Sequence, residues 1–347
     1  MSKQLEVKQV ANKFTIDQAT RVSKFGGGLI NDTYLVETSK CKYILQKLHS
    51  IFKPTVLVDT YNITQYLLNK GLATPLLVKT RDSKLFLKDG ENKYWRMLTY
   101  IPGRCYEVGI TTRQAFSAGQ LVGKFHDILS GYKYKFRHKI NNFHNSDARI
   151  KKLKLTLKKF KNTEKYETLL GPATIILEDY QNLTNKTNLL PDRIIHGDLK
   201  INNIRFNSKG EALCLLDLDT LSRHKVVVDF AGGARTWCNK ADEGDAQNSK
   251  FDPGVFKSML AGYLSTAKFI TKREIQSIPE TIERVILVLA ARFITDAFEE
   301  KYFRLNPGQY KNLYEQNKAK ALAQIALYKD FVSKKKHINK IIKNLCK

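Results

Sequence analysis

The chain has 347 residues, of which 42% are hydrophobic and 27% charged, with 8 Pro and 19 Gly. This composition excludes a disordered, collagen-like or low-complexity protein, and the length favours two domains or lobes. Lysine and arginine number 59 against 33 aspartates and glutamates, so the formal net charge is +26. Such a charge attracts anions, but the lysines are spread along the chain, which favours a lysine-rich surface over a dedicated anion-binding stripe.

The chain carries five cysteines at widely separated positions: Cys41, Cys105, Cys214, Cys238 and Cys346. Their odd count and the lack of a C-x-x-C pair indicate reduced thiols, not a disulfide framework or a zinc site. The N-terminal segment lacks the apolar core of a signal peptide, and the most apolar helical stretch, 285–293, is shorter than the roughly 20 residues of a membrane span. We therefore expect a cytoplasmic protein with no membrane span.

Short β-rich runs alternate with turn signals over 20–101, and one helix is predicted there over 55–70. Farther along, the helical period dominates, and helices are predicted over 112–129, 148–170, 255–267, 281–300 and 313–333. A compact β-type segment, 193–219, lies between them. The pattern predicts an α+β protein with a β-rich N-terminal lobe, 1–101, and a larger helical lobe, 102–347, with the ligand between them.

The most informative stretch is IHGDLKINNIRF at 195–206, followed by LCLLDLDTL at 213–221. Asp198, Asn203 and Asp217 supply what phosphoryl transfer needs, a carboxylate base and two oxygen ligands for magnesium. The five-residue step from Asp198 to Asn203 is that of the protein-kinase catalytic loop, H-R-D-x-x-x-x-N. We therefore predict Asp198 as the catalytic base and Asn203 and Asp217 as magnesium ligands.

Two further residues of these stretches allow two interpretations each. Lys200 either neutralises the transferring phosphoryl group, as a catalytic residue, or is an ordinary exposed lysine of the loop. Asp219 either adds a magnesium contact or only orders its loop.

A glycine follows His196 where protein kinases have arginine. This pattern is typical of the kinase-like phosphotransferases that act on small molecules, and the chain resembles that aminoglycoside, choline and homoserine kinase family from about residue 25 to 330. A narrower resemblance is to the N-acetylhexosamine 1-kinases, through GGGLINDTYLV, YILQKLHSIFK, WRMLTYIPG, HGDLKINN, LLDLDT, ARFITDAFEEKYF and QNKAKALAQIALYKD. The resemblance implies a two-lobed protein-kinase-like fold with ATP and Mg²⁺ as cofactors. It also implies transfer of the γ-phosphate to the anomeric hydroxyl of an N-acetylhexosamine.

Gly26, Gly27 and Gly28 lie between two β-runs and predict a hairpin whose N–H groups approach phosphates, although a ligand-free hairpin has the same signature. In protein kinases the third strand carries a lysine that grips the phosphates, and here Gln46 takes that place. Lys47 points to the opposite face by strand alternation. The helix that would supply the partner glutamate, 55–70, contains none.

The segment 97–101 would be the linker whose backbone edge recognises adenine, with Thr99, Tyr100 and Ile101 as nucleotide-binding residues. The alternative is that they are ordinary strand residues at a lobe junction.

By resemblance, the acceptor-binding residues are Asp32, Asp229, Arg235 and Arg292, and Asn31 and Thr33 help Asp32 to shape the nucleotide and sugar side. Asp32 could instead only cap its turn. Arg292 and Asp296, four residues apart on one helix, could form a structural ion pair. Arg235 could likewise be structural, and His49 and Tyr302 are weaker candidates.

Three functions follow from these residues. The first is a sugar 1-kinase. The second is a kinase of another small acceptor, an aminoglycoside, choline or homoserine, although the cationic chain suits a polycation poorly. The third is a basic pseudokinase that binds nucleic acid or lipid; a nucleic-acid partner is not expected, because the three catalytic positions have no role in such binding. The oligomeric state stays open.

Overall fold

The computed structural model describes residues 3–26, 31–49, 53–138, 144–184 and 186–346. It divides into two compact units. Unit 1 comprises Met1–Gly103, Lys133–Lys139 and Cys214–Leu221, and unit 2 comprises Arg104–Tyr132, Ile140–Leu213 and Ser222–Lys347. This division differs from the single predicted boundary after residue 101, because two later segments belong to unit 1.

Unit 1 is built on an antiparallel sheet in the strand order β1-β2-β3-β6-β4, with β5 also paired to β6. Its elements are α1 (Lys3–Ala11), β1 (Arg21–Lys24), β2 (Asp32–Glu37), β3 (Lys42–Lys47), α2 (Thr55–Asn69), β4 (Leu77–Val78), β5 (Leu87–Lys88) and β6 (Tyr94–Thr99).

The register of β3 fixes which side chains face each other in this sheet. Gln46 lies opposite Thr33 of β2 and opposite Arg96 of β6. Directly opposed residues of antiparallel strands share a face, so these three polar side chains form one row. The other face carries Leu45 and Met97, which are fully buried in the core that α1 covers.

Unit 2 is mainly helical and packs around α8, whose central residues Ile286, Leu287 and Ala290 are fully buried. Its elements, with β9 ending in unit 1, are α3 (Thr112–Ser130), α4 (Ser146–Lys159), α5 (Glu164–Asn182), β7 (Arg193–Ile195), β8 (Ile204–Phe206), β9 (Ala212–Leu215), β10 (Ser222–His224), α6 (Val226–Trp237), α7 (Pro253–Thr266), α8 (Lys272–Glu299) and α9 (Leu313–Leu345).

Helices α3 and α7 cross closely. A Cβ atom on Gly119 would lie 2.2 Å from a carbonyl oxygen of α7, and one on Gly262 would lie 2.0 Å from a carbonyl oxygen of α3. Only glycine fits at such a crossing. The approach brings His126 of α3 within 3.0 Å of the Tyr263 hydroxyl of α7, so this packing positions a side chain that supports the loop after β7.

The predicted single helix over 148–170 is wrong. The chain leaves α4 at Phe160 and turns through Asn162, which has a positive φ of 68°, and Thr163 caps α5. Helices α1 and α6 were not predicted, α8 starts earlier than expected, and α9 ends later. The other predicted helices are confirmed to within two residues at each end.

The predicted fold class is confirmed: a small antiparallel sheet dominates the N-terminal part and helices dominate the C-terminal part. All five cysteines are free thiols. Among the described residues, no helix is both long and apolar enough to cross a bilayer.

Candidate active site

Asp198 lies in unit 2 on the loop that follows β7. The Asn203 side-chain amide donates to the Asp198 carbonyl oxygen at 2.8 Å and approaches its Oδ2 at 3.4 Å. The Asp198 N–H donates to Nδ1 of His196 at 3.2 Å, so Nδ1 carries no proton. Gly197 between them has a φ of 88°, which favours glycine. The five-residue step therefore closes a loop that fixes the Asp198 backbone.

Asp229 of α6 is buried and supports this loop from below. Its carboxylate accepts hydrogen bonds from the N–H groups of His196 at 2.7 Å and Gly197 at 2.8 Å. Nε2 of His126 lies 3.0 Å from the same carboxylate, so it must donate, and Nδ1 lies 3.0 Å from the Tyr263 hydroxyl. Burial alone would raise the pKa of Asp229, but the hydrogen bond from His126 contributes to a net lowering. The prediction of Asp229 as an acceptor ligand is thus corrected, because its oxygens already hold the loop.

Helix α6 holds the loop at two more points. Thr236 Oγ1 accepts the N–H of Ile201 at 3.2 Å, and the Trp237 indole donates to the Leu199 carbonyl oxygen at 2.9 Å. Arg235, the preceding residue of α6, is therefore placed beside the catalytic loop.

Positive charge surrounds the Asp198 carboxylate. Lys200 Nζ lies 3.1 Å from Asp198 Oδ2, and both side chains are partly exposed. Burial lowers the pKa of Arg235, whereas the carboxylates of Glu243 and Asp198 act in the opposite direction. Arg235 lies 3.6 Å from Glu243, which Lys320 also contacts at 3.0 Å. Arg235 is thus held by an ion-pair network within electrostatic reach of Asp198.

Arg292 of α8 is half-buried and lies against aromatic rings. Its Nη2 donates to the Tyr302 hydroxyl at 2.9 Å, and the guanidinium lies 5.1 Å from the Tyr302 ring and 5.6 Å from the Phe303 ring. Within the described ranges, no carboxylate lies close enough to pair with Arg292. The charge of Arg292 also acts on the pKa of Arg235. Arg292 therefore presents an uncompensated cation in the same unit as Asp198.

The alternative ion pair of Arg292 with Asp296 is not formed. Asp296 is buried and accepts the N–H groups of Lys301 at 2.9 Å, Tyr302 at 2.7 Å and Phe303 at 2.9 Å. It also accepts from the Asn317 amide at 3.0 Å. Asp296 thus shapes the turn after α8 that places Tyr302 against Arg292.

In unit 1, Asp217 and Asp219 differ sharply. Asp217 is exposed and has a left-handed backbone, with φ 58° and ψ 59°, before the short 3₁₀ turn Leu218–Thr220. Asp219 is 1% exposed and pairs through both oxygens with the Arg96 guanidinium, the Nη2 contact being 2.8 Å. Asn31 donates to Asp219 at 3.2 Å. These partners favour the loop-ordering role of Asp219 over a magnesium contact.

Asn203 and Asp217 have the chemistry of magnesium ligands. The amide nitrogen of Asn203 is used on Asp198, while its amide oxygen accepts no hydrogen bond from the described residues. The Asp217 carboxylate is exposed. An amide oxygen and a carboxylate are the hard oxygen donors that Mg²⁺ prefers, so both residues fit the predicted cofactor.

The Gln46 side chain is hydrogen-bonded to its two neighbours in the sheet. Its Nε2 donates to Thr33 Oγ1 at 3.1 Å, and its Oε1 accepts from Arg96 Nε at 2.8 Å. Lys47 lies on the other face, as predicted, 5.4 Å from the Trp95 ring. Neither side chain reproduces the kinase lysine. One amide N–H and the amide oxygen of Gln46 are bonded within the sheet, and its contact with phosphate stays a prediction.

The glycine-rich segment is only partly within the described residues. Gly26 has a φ of 72°, as expected for a glycine in a tight turn. Gly27 and Gly28 lie outside the described residues. Asn31 accepts the His49 N–H at 2.9 Å, which ties the end of this segment to the end of β3. Asp32 opens β2 as an exposed carboxylate, and its acceptor role stays a prediction.

The linker candidates follow the end of β6. The N–H and hydroxyl of Thr99 are both bonded to the backbone of Leu76, at 2.9 Å each. The Tyr100 ring packs edge-on against Phe25, with centroids 6.1 Å apart, and Ile101 is half-buried. Their contact with adenine stays a prediction.

Sequence reasoning missed several residues of this site: Arg96, Glu243, Lys320 and His126. A signal existed for Arg96, because it stands between Trp95 and Met97 in an apolar strand where charge is costly unless paired. Glu243 and Lys320 carried no comparable signal.

A model of the family described as the phosphotransferase enzyme family, APH, matches residues 21–264. This range is most of the chain and includes Gly26, Arg96, Asp198 and Asp217. The chain belongs to this phosphotransferase family. The match stops before Arg292, so the family assignment does not extend to that acceptor candidate.

Solved structures show the same protein-kinase-like fold across nearly the full length of this phosphotransferase. An amicoumacin kinase in complex with AMP-PNP and Ca²⁺ is 15% identical, with a TM-score of 0.63 over 96% of this chain and 94% of the other. A microcompartment-associated aminopropanol kinase is 14% identical, with a TM-score of 0.62 over 96% and 98%. A choline kinase from Cryptosporidium parvum Iowa II is 14% identical, with a TM-score of 0.57 over 99% of both chains.

These findings confirm the predicted fold and enzyme class, a phosphotransferase with kinase neighbours. The nucleotide analogue and divalent cation in the amicoumacin kinase agree with the predicted ATP and Mg²⁺.

Proposed function

We propose that this phosphotransferase uses ATP and Mg²⁺ to phosphorylate a sugar, and that the preferred acceptor is the anomeric hydroxyl of an N-acetylhexosamine. The observation that carries the sugar assignment is Arg292, which lies on Tyr302 and Phe303 without a carboxylate partner among the described residues. Aromatic surface beside a few convergent polar groups is typical of small-ligand sites. The resemblance of the INDT, YILQ and RFITD stretches to the N-acetylhexosamine 1-kinases supports the narrower acceptor.

In the proposed reaction, Asp198 accepts the proton of the acceptor hydroxyl. The acceptor oxygen then forms a bond to the γ-phosphorus as the bond to the β,γ-bridging oxygen breaks, and ADP leaves. Asn203 keeps Asp198 oriented through its backbone. Lys200 lies 3.1 Å from Asp198 and is proposed to offset the negative charge of the transferring group.

Asn203 and Asp217 are the residues proposed to hold the cation, which would neutralise phosphate charge when bound. Gly26 and its neighbours are proposed to contact the phosphates, and Thr99, Tyr100 and Ile101 to contact adenine.

The charges of unit 2 favour a neutral acceptor over a cationic one. Lys200, Arg235, Lys320 and Arg292 outnumber Asp198 and Glu243 in this network. Aminoglycosides are polycations, so they would be repelled here.

A cytoplasmic location is proposed as well, and only the sequence prediction supports it.

The test is a transfer assay with ATP and Mg²⁺ on N-acetylglucosamine, N-acetylgalactosamine, choline, homoserine and kanamycin, read by mass spectrometry. The methyl glycosides of both N-acetylhexosamines serve as matched controls, because their anomeric oxygen is blocked. We expect a phosphorylated product from a free sugar and none from its methyl glycoside.

Phosphorylation of a methyl glycoside would move the reaction to another hydroxyl, and transfer to kanamycin alone would overturn the sugar assignment. Absence of any transfer together with salt-dependent duplex or anionic-vesicle binding would support the pseudokinase alternative.

A further inference from the structure

The pair of charges that grips ATP phosphates in protein kinases, a strand lysine and a helix glutamate, has no counterpart at its usual positions. Gln46 occupies the strand position. The only acid of α2, Asp59, is buried and accepts from the Tyr134 hydroxyl at 2.8 Å and from the N–H groups of Arg137 at 3.0 Å and His138 at 2.7 Å. Asp59 is therefore committed to the segment that follows α3 and cannot serve a strand cation.

A buried cation is nevertheless present one strand away. Arg96 lies directly opposite Gln46 in the sheet register, on the same face, and is 2% exposed. Its Nε donates to Gln46, and its two terminal nitrogens pair with the two oxygens of Asp219. All three contacts point away from solvent, so Arg96 acts on its protein neighbours and not on a ligand directly.

The partner of Arg96 belongs to the turn that carries the proposed metal ligand. Asp219 is two residues after Asp217 and is also bonded by Asn31. The Thr60 hydroxyl of α2 donates to the Leu218 carbonyl oxygen at 3.4 Å. Asp217 itself has the left-handed backbone that non-glycine residues adopt only at a cost. The surrounding bonds must offset that cost, and the Arg96–Asp219 pair is the strongest of them.

We propose that Arg96 is a positioning residue that holds Asp217 in its metal-binding conformation through Asp219, and so replaces the ordering function of the missing lysine–glutamate pair. The inference rests on the proposed function in one respect, the role of Asp217 as a metal ligand. It explains how β3 can carry Gln46 in place of the kinase lysine. The glutamine orients Arg96, and Arg96 orients the turn that carries Asp217.

The test measures AMP-PNP binding by titration calorimetry with and without Mg²⁺ in the full chain. The variants are Arg96→Met, Arg96→Lys, Asp217→Asn and the Arg96→Met/Asp217→Asn double variant. Arg81→Met is the matched control, because Arg81 is another arginine of unit 1 that bonds only to backbone oxygens, those of Asn12 and Ile16. Thermal unfolding of each variant reports its folding.

We expect Arg96→Met to weaken Mg²⁺-dependent binding by about tenfold or more, with metal-free binding changed less than about threefold. Arg96→Lys keeps the charge but loses the two-pronged contact, so it should recover part of the loss. In the Asp217→Asn background, Arg96→Met should add little, because both changes act through the same carboxylate.

Equal losses of metal-free and metal-dependent binding, or full additivity with Asp217→Asn, would overturn the proposal and leave Arg96 a structural residue. If Arg96→Met does not fold, Arg96→Lys decides by the same comparison of binding with and without Mg²⁺. A wild-type chain that binds AMP-PNP without any Mg²⁺ dependence would instead refute the metal role of Asp217. A chain that shows the expected dependence but phosphorylates no sugar would refute only the acceptor.

Discussion

Two buried aspartates hold the loops that carry Asp198 and Asp217, and they do so through different kinds of contact. Asp229 in unit 2 accepts from two backbone N–H groups of the loop it supports and from the His126 ring. Asp219 in unit 1 lies within its own loop and is paired with a guanidinium from a strand 123 residues earlier. The first carboxylate shapes main chain directly, whereas the second needs the sheet to be assembled before its partner is in place.

The difference has an energetic consequence. Losing the charge of Asp229 weakens its hydrogen bonds from two backbone N–H groups and from His126 Nε2. Losing the charge of Asp219 leaves a buried guanidinium without its counter-ion, which is the costlier defect. Unit 1 should therefore depend more on its aspartate for stability, although the proposed base, Asp198, lies in unit 2.

The largest expected effect is on turnover, at Asp198, the proposed base. Asp198→Asn keeps the side-chain shape but cannot accept the acceptor proton, so turnover should fall by about a thousandfold while AMP-PNP affinity is unchanged. Steady-state rates and calorimetric binding measure the two effects. Asp192→Asn, an exposed acid just before β7, is the matched control and should leave turnover within about twofold. Full turnover in Asp198→Asn would remove this residue from the reaction.

The comparison of the two supports is tested by stability. Asp219→Asn should lower the free energy of unfolding by about 3 to 5 kcal/mol, because it breaks a buried ion pair. Asp229→Asn should cost about 1 to 3 kcal/mol, because it weakens the hydrogen bonds from two backbone N–H groups and the His126 ring. Urea denaturation of both variants measures the costs. The reverse order would show that backbone support of the catalytic loop, and not the ion pair, is the more important anchor.

Arg292→Gln tests the acceptor side of unit 2. Removing the cation should lower kcat/KM for the acceptor by about 10- to 100-fold, through loss of a charge-assisted contact, and leave the KM for ATP within about twofold. Arg273→Gln, an exposed arginine near the start of the same helix, should change neither. An equal effect on both substrates would indicate that Arg292 only maintains the turn around Tyr302.

The sequence predicted structure well where the contacts join residues close together in the chain. Asp198 and Asn203 are five residues apart and meet within one loop, so their motif predicted both the residues and their relation. Most strands of the sheet also followed from alternation and turn residues, whereas the two-residue strand β4 was not predicted. The helix break at Phe160–Thr163 was missed because the apolar spacing of Leu153, Leu157 and Phe160 continues up to the break. Thr163 caps α5 only because a turn precedes it, and apolar periodicity does not predict that turn.

Long-range partners were not predictable in this way. Asp229 was assigned to the acceptor by resemblance alone, as part of the stretch VVDFAGGAR. Its actual donors, His196 and His126, lie 33 and 103 residues earlier and are specified by helix packing. Asp219 was ambiguous for a similar reason, since its partner Arg96 lies 123 residues earlier in the chain. Motif position pointed to Asp219 and Asp229, and tertiary contacts determine which groups each of them bonds.

The smallest effect concerns the pH dependence of unit 2. Burial, helped by the nearby His224 ring, lowers the pKa of His144 to about 4 in the folded chain, from an ordinary value of 6.5. Between pH 6.5 and 4 the unfolded chain therefore binds a proton that the folded chain does not, so stability falls as the pH is lowered through this window. Because the ring is partly exposed, we expect this residue to contribute about 1 to 2 kcal/mol of the loss between pH 7 and pH 5.

Urea unfolding of His144→Gln at pH 7 and pH 5 measures this contribution. The variant should lose less stability on acidification than the wild type, whereas His337→Gln, which removes an exposed histidine of α9, should match the wild type at both pH values. Unlike the two aspartates, His144 contributes to stability by remaining uncharged. An identical acid sensitivity in wild type and His144→Gln would therefore mean that the ring takes up its proton in the folded chain. Unit 2 would then tolerate a further cation beside Arg292.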